Sequence, residues 1–128
     1  MEDDLKRRRE MARLLVNAMI LIGDILAALP LKIVIPAAGT PECTPATAVK
    51  ILERARLELI DAQPISDGAK MMLKVMILEW FALVDISGRA AQSGASERRL
   101  DTARHQADLI MSASDHVAEE LGLPPFLE

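Results

Sequence analysis

The spacing of apolar residues along this chain predicts helices. In the first thirty residues they recur at alternating steps of three and four, which keeps them on one face of a helix. These positions are Met11, Leu15, Ala18, Ile22, Ile25 and Leu29. The pattern returns in three later segments, separated by proline or glycine. We therefore predict an all-α protein with helices at about 4–29, 45–63, 67–91 and 96–121.

Residues at the ends of these segments support the helix boundaries. Thr44 and Ser96 are suitable N-caps, Pro45 suits a first helical position, and Pro30 ends the first helix. The stretch 30–43 has three prolines and a β-branched run at 33–35, which indicates an extended strap over the core or one short strand. The prediction is one antiparallel four-helix bundle domain over residues 1–128, with a long extended first connection.

Apolar residues are more numerous in two of the helices than one packed face requires. Segments one and three are apolar on most sides, whereas segments two and four have one apolar face each. We expect segments one and three to be central, with a homo-oligomer or a protein partner covering their spare faces, because large exposed apolar patches are rare on monomers. The candidate partner-binding residues are Leu14, Ile20, Leu21, Met71, Ile77 and Phe81.

Charge and cysteine content narrow the classes of partner. The net charge of −4 and the pI near 5.2 provide no overall positive field, so no nucleic acid is expected. The lone Cys43 cannot form an internal disulfide, which favours a reducing, cytoplasmic setting. Basic residues 6–9 before the first apolar stretch suggest membrane association as a further alternative, but Asn17 and Asp24 interrupt that stretch and argue against a membrane-spanning helix.

Glu79 is the polar residue that fits its predicted surroundings least well. It lies on an apolar face of segment three, where a carboxylate must be paired, neutralised or placed at an interface. An ion pair with an arginine such as Arg13 or Arg99 is the simplest solution. The alternative is a catalytic or small-molecule site between helices one and three, built around Asp24 and Glu79.

The histidines do not form a recognisable metal site. His105 and His116 are eleven residues apart on one predicted helix, roughly 16 Å along its axis, which is too far to share an ion. The chain also lacks paired cysteines and a glycine-rich phosphate loop. We therefore predict no metal and no cofactor, and an enzyme is not the leading hypothesis.

One short segment resembles a known family. The stretch 98–105, RRLDTARH, resembles the arginine-to-histidine spacing of the HEPN helical-bundle ribonucleases, in which the two residues act on an RNA phosphodiester. The resemblance covers these eight residues only. It departs from the family pattern at Gln106 and Ala107, where a glycine or aromatic residue is usual.

The leading functional hypothesis is a small, soluble interaction or regulatory module. Adaptors, immunity proteins, antitoxins and secretion chaperones of this size bind through apolar helix surfaces, and the surplus apolar surface predicts the same mode here. The alternatives are the enzyme or binder around Asp24 and Glu79, and membrane association through the first helix.

Overall fold

The described part of the chain is helical. The computed structural model describes residues 2–36 and 44–123, and these contain four α-helices and no strand. The helices are α1 (Glu2–Ala27), α2 (Pro45–Arg54), α3 (Asp67–Ser93) and α4 (Glu97–Glu120). The all-α prediction is confirmed. The helix contacts are consistent with a bundle.

Hydroxyl side chains cap three of the helices. The Thr44 hydroxyl accepts the Thr47 N–H at 3.2 Å, and the Ser96 hydroxyl accepts the Arg99 N–H at 3.2 Å. Ser66 caps α3 in the same way, through the N–H of Ala69. These bonds satisfy N–H groups that have no partner within the helix, so local sequence sets where each helix begins.

The second segment is less regular than its sequence pattern predicts. α2 ends at Arg54 and continues as one π-helical turn over Ala55–Leu59, instead of running as a regular helix to Gln63. The wider turn leaves Ala55 and Ile60 fully buried against the core. Such a turn alters the helical phase, so it cannot be read from a 3.6-residue periodicity.

The start of the first connection packs on the core as a strap. Ile33 is buried, and its N–H donates to the carbonyl of Leu26 at 3.0 Å. The alternative of a short strand is wrong for residues 33–35, which have no strand partner in the described parts of the chain. Cys43 and the rest of this connection, residues 37–43, lie outside the described residues.

The order of contacts gives the relative directions of the helices. Asp4 accepts a hydrogen bond from Ala95, just after the end of α3, and the Leu15 carbonyl accepts one from Trp80, earlier in α3. α1 and α3 therefore run in opposite directions. Arg104 donates a hydrogen bond to Glu10, and further along both helices residues 14–24 line one cavity with residues 107–111, so α1 and α4 run in the same direction. A uniformly antiparallel bundle is therefore not confirmed. The long first connection permits parallel helices, whereas the short turn after α3 makes α3 and α4 antiparallel.

Only one of the two helices predicted to be central occupies the centre. α3 contacts α1, α2 and α4, whereas α1 contacts only α3 and α4 among the described helices. Apolar side chains from all four helices join one buried cluster. The outer side of α1 remains exposed at Val16 and Ile20. The prediction that α1 is central is thus wrong, because α2 packs beside α3 instead.

A charged cluster joins the start of α1 to the turn between α3 and α4. Asp4 accepts the Ala95 N–H at 2.7 Å and pairs with Arg8 at 2.6 Å. Arg7 donates to the Ala95 carbonyl. Gly94 has a φ of +102°, a conformation that side-chain-bearing residues rarely adopt. The basic run at 6–9 therefore has structural contacts at this end of the bundle.

The Asp4 carboxyl provides a pH-dependent stabilisation. Its hydrogen bond from the Ala95 N–H, followed by the contact with Arg8, lowers its pKa below the usual value of 3.8 although partial burial opposes this. A lowered folded-state pKa stabilises the fold above the unfolded pKa, and the gain is lost as pH falls through the folded value. We expect Asp4→Asn to reduce the urea midpoint at neutral pH.

The difference between the wild type and Asp4→Asn should shrink as the pH falls below about 4, where the carboxyl becomes protonated. Urea unfolding followed by circular dichroism at several pH values measures this. Asp3→Asn is the matched control, since no hydrogen bond of its carboxylate is found in residues 2–36 and 44–123. A constant difference across the pH range would contradict the role given to Asp4.

Candidate functional site

An apolar groove lies between α1 and α4. Its volume is about 370 Å³, and Leu14, Ala18 and Leu21 of α1 form its floor together with residues of α4. The complete lining is Leu14, Asn17, Ala18, Ile20, Leu21, Asp24, Ala107, Ile110 and Met111. Because Ala18 and Ala107 carry only a methyl group where the two helices meet, space remains between the neighbouring larger side chains. We call this cavity the α1–α4 groove.

Two long apolar side chains stand at the edges of the α1–α4 groove. Ile20 on α1 is 49% exposed, and Met111 on α4 is 44% exposed. Leu14 is half-buried and Leu21 is buried at the floor. Three of the predicted partner-binding residues, Leu14, Ile20 and Leu21, therefore line one cavity. The structure brings them together because they are six and seven residues apart on α1, close to two turns.

Polar groups mark both ends of this groove. At one end the guanidinium of Arg104 on α4 donates three hydrogen bonds of 2.8 to 3.0 Å to the carboxylate of Glu10 on α1. This pairing raises the pKa of Arg104 through the hydrogen bond with Glu10, despite partial burial. The exposed side chain of Asn17 lies along the groove, and that of Asp24 lies at its other end. The three acidic and amide residues spaced by seven on α1 thus follow the groove.

A second cavity continues from the groove past Asp24. Its volume is about 320 Å³, and it shares Ile20 and Asp24 with the α1–α4 groove. Val34, Ile35 and Pro36 of the strap form its other wall. Apolar surface therefore extends from α4, across the outer side of α1, to the strap.

The candidate residues on α3 lie apart from this groove. Ile77 is only 1% exposed and belongs to the core, so its assignment as a partner-binding residue is wrong. Phe81 is half-buried, and its ring centroid lies 6.0 Å from that of Trp80. Met71 is 66% exposed near the start of α3. The three residues occupy different azimuths of the helix, and a continuous apolar pattern does not reveal which azimuth packs inward.

The structure does not join Asp24 and Glu79 into one site. Asp24 lines the α1–α4 groove and the adjoining cavity, and neither includes Glu79. Glu79 is half-buried and forms no ion pair with any residue in 2–36 or 44–123. The expected partner Arg99 donates instead to the Gly94 carbonyl at 2.7 Å. The alternative of an enzyme around these two carboxylates therefore has no geometric support.

Other candidate chemistry is also dispersed. His105 and His116 are exposed on α4. No group of three or more potential metal ligands occurs within residues 2–36 and 44–123. Among the helices of those residues, none has the length and hydrophobicity needed to cross a membrane.

The partner-binding residues predicted from sequence include none on α4, although α4 forms one side of this groove. α4 has a clean amphipathic pattern, and Ala107, Ile110 and Met111 read as the core face and its border. The available signal is the small residue Ala107 followed four positions later by an exposed methionine. This signal indicates a groove only when the structure shows that Ala18 of α1 lines the same cavity as Ala107.

Comparisons of the chain with models of protein families, with characterised proteins and with solved structures found no match, so the resemblance of residues 98–105 to the HEPN ribonucleases receives no support.

Proposed function

We propose that this protein is a small helical interaction module that binds an amphipathic helix of a protein partner in the α1–α4 groove. The observation that carries the proposal is the pair of half-exposed side chains, Ile20 and Met111, on the two edges of one apolar groove. A helix bound in such a groove inserts apolar residues spaced by three or four. Removing these edges from water supplies the driving force.

The dimensions of the groove suit a short helix. Its lining on α1 extends from Leu14 to Asp24, about 15 Å at the helical rise of 1.5 Å per residue. A partner helix of about three turns spans that length. The thioether of Met111 adapts to different side-chain shapes more readily than a branched residue does. The site therefore fits two or three anchoring side chains of a helix.

The charges around the groove favour a basic partner helix. Asp24 lies in its lining, and Asp108 and Asp115 are exposed three positions before and four positions after Met111, on the same edge of α4. None of the three pairs with a cation in the described ranges. Lysine or arginine beside the apolar face of the partner would complement these carboxylates.

A regulatory role in the cytoplasm belongs to the same proposal. It is supported by the mildly acidic composition, the lone cysteine and the dispersed catalytic candidates. The specific prediction is the mode of binding, which adaptors, immunity proteins, antitoxins and secretion chaperones can share.

The test uses a defined helical peptide. A fluorescein-labelled peptide of about 14 residues, with leucines spaced by three and four and lysines elsewhere, serves as the probe, and a peptide with glutamates in place of the lysines is its control. We expect the lysine peptide to bind more tightly. Its affinity should fall with added salt because the rim carboxylates are exposed. Fluorescence anisotropy measures both effects.

The double variant Ile20→Ser, Met111→Ser should weaken binding of the lysine peptide by about tenfold or more, since two apolar anchors of the groove are removed. Leu57→Ser is the control, because Leu57 is 58% exposed, more than Ile20 or Met111, but lies outside the groove. Equal binding of both peptides, or equal loss in the Leu57 variant, would contradict the proposal. Backbone amide shifts on peptide addition should be confined to residues lining the groove.

A further inference from the structure

A second apolar surface lies on the outer side of α3, and it shares no residue with the α1–α4 groove. Met71 is 66% exposed, Leu78 is 48% exposed and Val75 is 38% exposed, and Ala82 is exposed beside them. Their spacing of four, three and four is that of the d and a positions of a coiled coil. We call these four residues the α3 stripe.

The α3 stripe is separate from the core face of the same helix. Leu73, Met76 and Trp80 are buried, and they occupy the f, b and f positions when Val75 and Ala82 are a positions. α3 therefore has two apolar faces, one packed against the bundle and one exposed to solvent. This arrangement accounts for the dense apolar pattern of segment three.

The residue types in the α3 stripe favour two parallel helices. Val75 is β-branched at an a position and Leu78 is a leucine at a d position, the combination that favours parallel two-stranded coiled coils. A symmetric dimer requires a surface that complements itself. A second copy of α3 meets that requirement, because each residue of the stripe then faces its own equivalent.

The charges beside the stripe fit the same arrangement. Lys74 occupies a g position, and Glu79 occupies the e position five residues later. In a parallel coiled coil, residues at these g and e positions form ion pairs between the two helices. Lys74 donates to Asp61 at 2.6 Å, and its ammonium has two further N–H donors. Glu79 has no cationic partner among the residues described. In an antiparallel pair of helices, the g positions of one helix lie beside the g positions of the other, so Lys74 would not contact Glu79 of the second copy.

We propose that the α3 stripe is the contact surface of a parallel homodimer, in which Lys74 of each copy pairs with Glu79 of the other. The contact ends after Ala82, because Asp85 and Arg89 occupy the next d and a positions and would face their own equivalents. A guanidinium nitrogen of Arg89 lies 3.6 Å from a carboxylate oxygen of Asp85, so the two side chains form an ion pair within one helix. Such a short contact is expected to give a weak, concentration-dependent dimer.

Charge reversal tests the pairing directly. In sedimentation equilibrium at low salt, Lys74→Glu and Glu79→Lys should each weaken dimerisation by about tenfold or more, since like charges then meet across the two-fold axis. The double variant should recover to within about threefold of the wild type, because the opposite pairs are restored. Arg98→Glu, on an exposed part of α4, should have no effect.

Circular dichroism of each variant checks that the helices are retained. The proposal is overturned if the wild type remains monomeric at millimolar concentration. It is equally overturned if the double variant dimerises no better than Lys74→Glu, which has the same altered contact with Asp61.

Disulfide cross-linking tests the parallel direction separately. In a Cys43→Ser background, Leu78→Cys should cross-link to itself under mild oxidation, because equivalent d residues face each other in a parallel pair. A mixture of Val75→Cys and Leu78→Cys chains should give little mixed disulfide. A predominance of the mixed product would indicate antiparallel helices and refute the proposal, and Leu57→Cys is the exposed control.

The two proposed surfaces can fail independently. Leu78→Cys leaves the α1–α4 groove unchanged, and the Ile20 and Met111 variants leave the α3 stripe unchanged. Loss of peptide binding with retained dimerisation would reject the function of the groove alone, and the reverse outcome would reject the dimer alone. If both hold, the dimer presents two grooves and gains avidity for a partner with two helices.

Discussion

Replacing Trp80 with alanine is expected to lower the free energy of unfolding by about 3–5 kcal/mol. Trp80 is only 2% exposed and lies in the core formed by all four helices. Its indole N–H donates to the carbonyl of Leu15 at 3.3 Å, so the side chain also joins α3 to α1. The variant loses a large buried surface and leaves a cavity that the surrounding helices fill only in part.

Trp80→Phe separates packing from the hydrogen bond. It keeps most of the ring and removes the N–H, so we expect a cost of about 1–2 kcal/mol. Leu57→Ala, at an exposed apolar position, should cost less than about 0.5 kcal/mol. Urea unfolding followed by circular dichroism measures all three variants. A loss below about 1.5 kcal/mol for Trp80→Ala would show that the core does not depend on this side chain.

Replacing Gln63 with alanine should cost about 2 kcal/mol, which is more than a surface glutamine contributes. Gln63 is 3% exposed, and its amide nitrogen donates to the Leu31 carbonyl at 2.6 Å while its amide oxygen accepts the Leu31 N–H at 3.0 Å. Both polar atoms of the amide are therefore satisfied by one residue of the strap. The alanine variant removes both bonds and loosens the strap from the segment that follows the π-helical turn.

Gln63→Glu provides a pH-dependent test of this contact. A carboxylate there cannot donate to the Leu31 carbonyl, and burial disfavours its charged form, so its pKa should be raised in the folded state. Relative to the wild type, this variant should therefore gain stability as the pH falls through the raised folded-state pKa towards the unfolded value of about 4.3. Gln92→Ala, at an exposed position of α3, is the control. Equal effects at positions 63 and 92 would contradict the role of Gln63.

The interaction surfaces could be predicted in part. The surplus of apolar residues in segments one and three indicated unsatisfied apolar surface, and Ile20 and Met71 are exposed in the structure. Ile77 was placed on the wrong side of α3. An apolar pattern indicates how many faces of a helix are apolar, but it does not identify which of these faces the neighbouring helices cover. The covered face depends on the azimuth at which the helix packs.

Glu79 illustrates a similar limit. Its isolation on an apolar face was recognised from sequence, and the structure places it at the flank of the exposed α3 stripe, away from Asp24. Its relation to Lys74 in the coiled-coil register depends on which residues of α3 are buried. That information comes from packing, so sequence reasoning sought a partner inside the bundle instead.

The sequence by itself determined the number and approximate extent of the helices, and the N-caps at Thr44 and Ser96. These features depend on interactions between residues three or four apart, which are local to each segment. Tertiary structure decided that α1 and α4 run in the same direction and that α2 continues as a π-helical turn. It also created the α1–α4 groove, because two small residues distant in sequence, Ala18 and Ala107, line one cavity only when the helices pack.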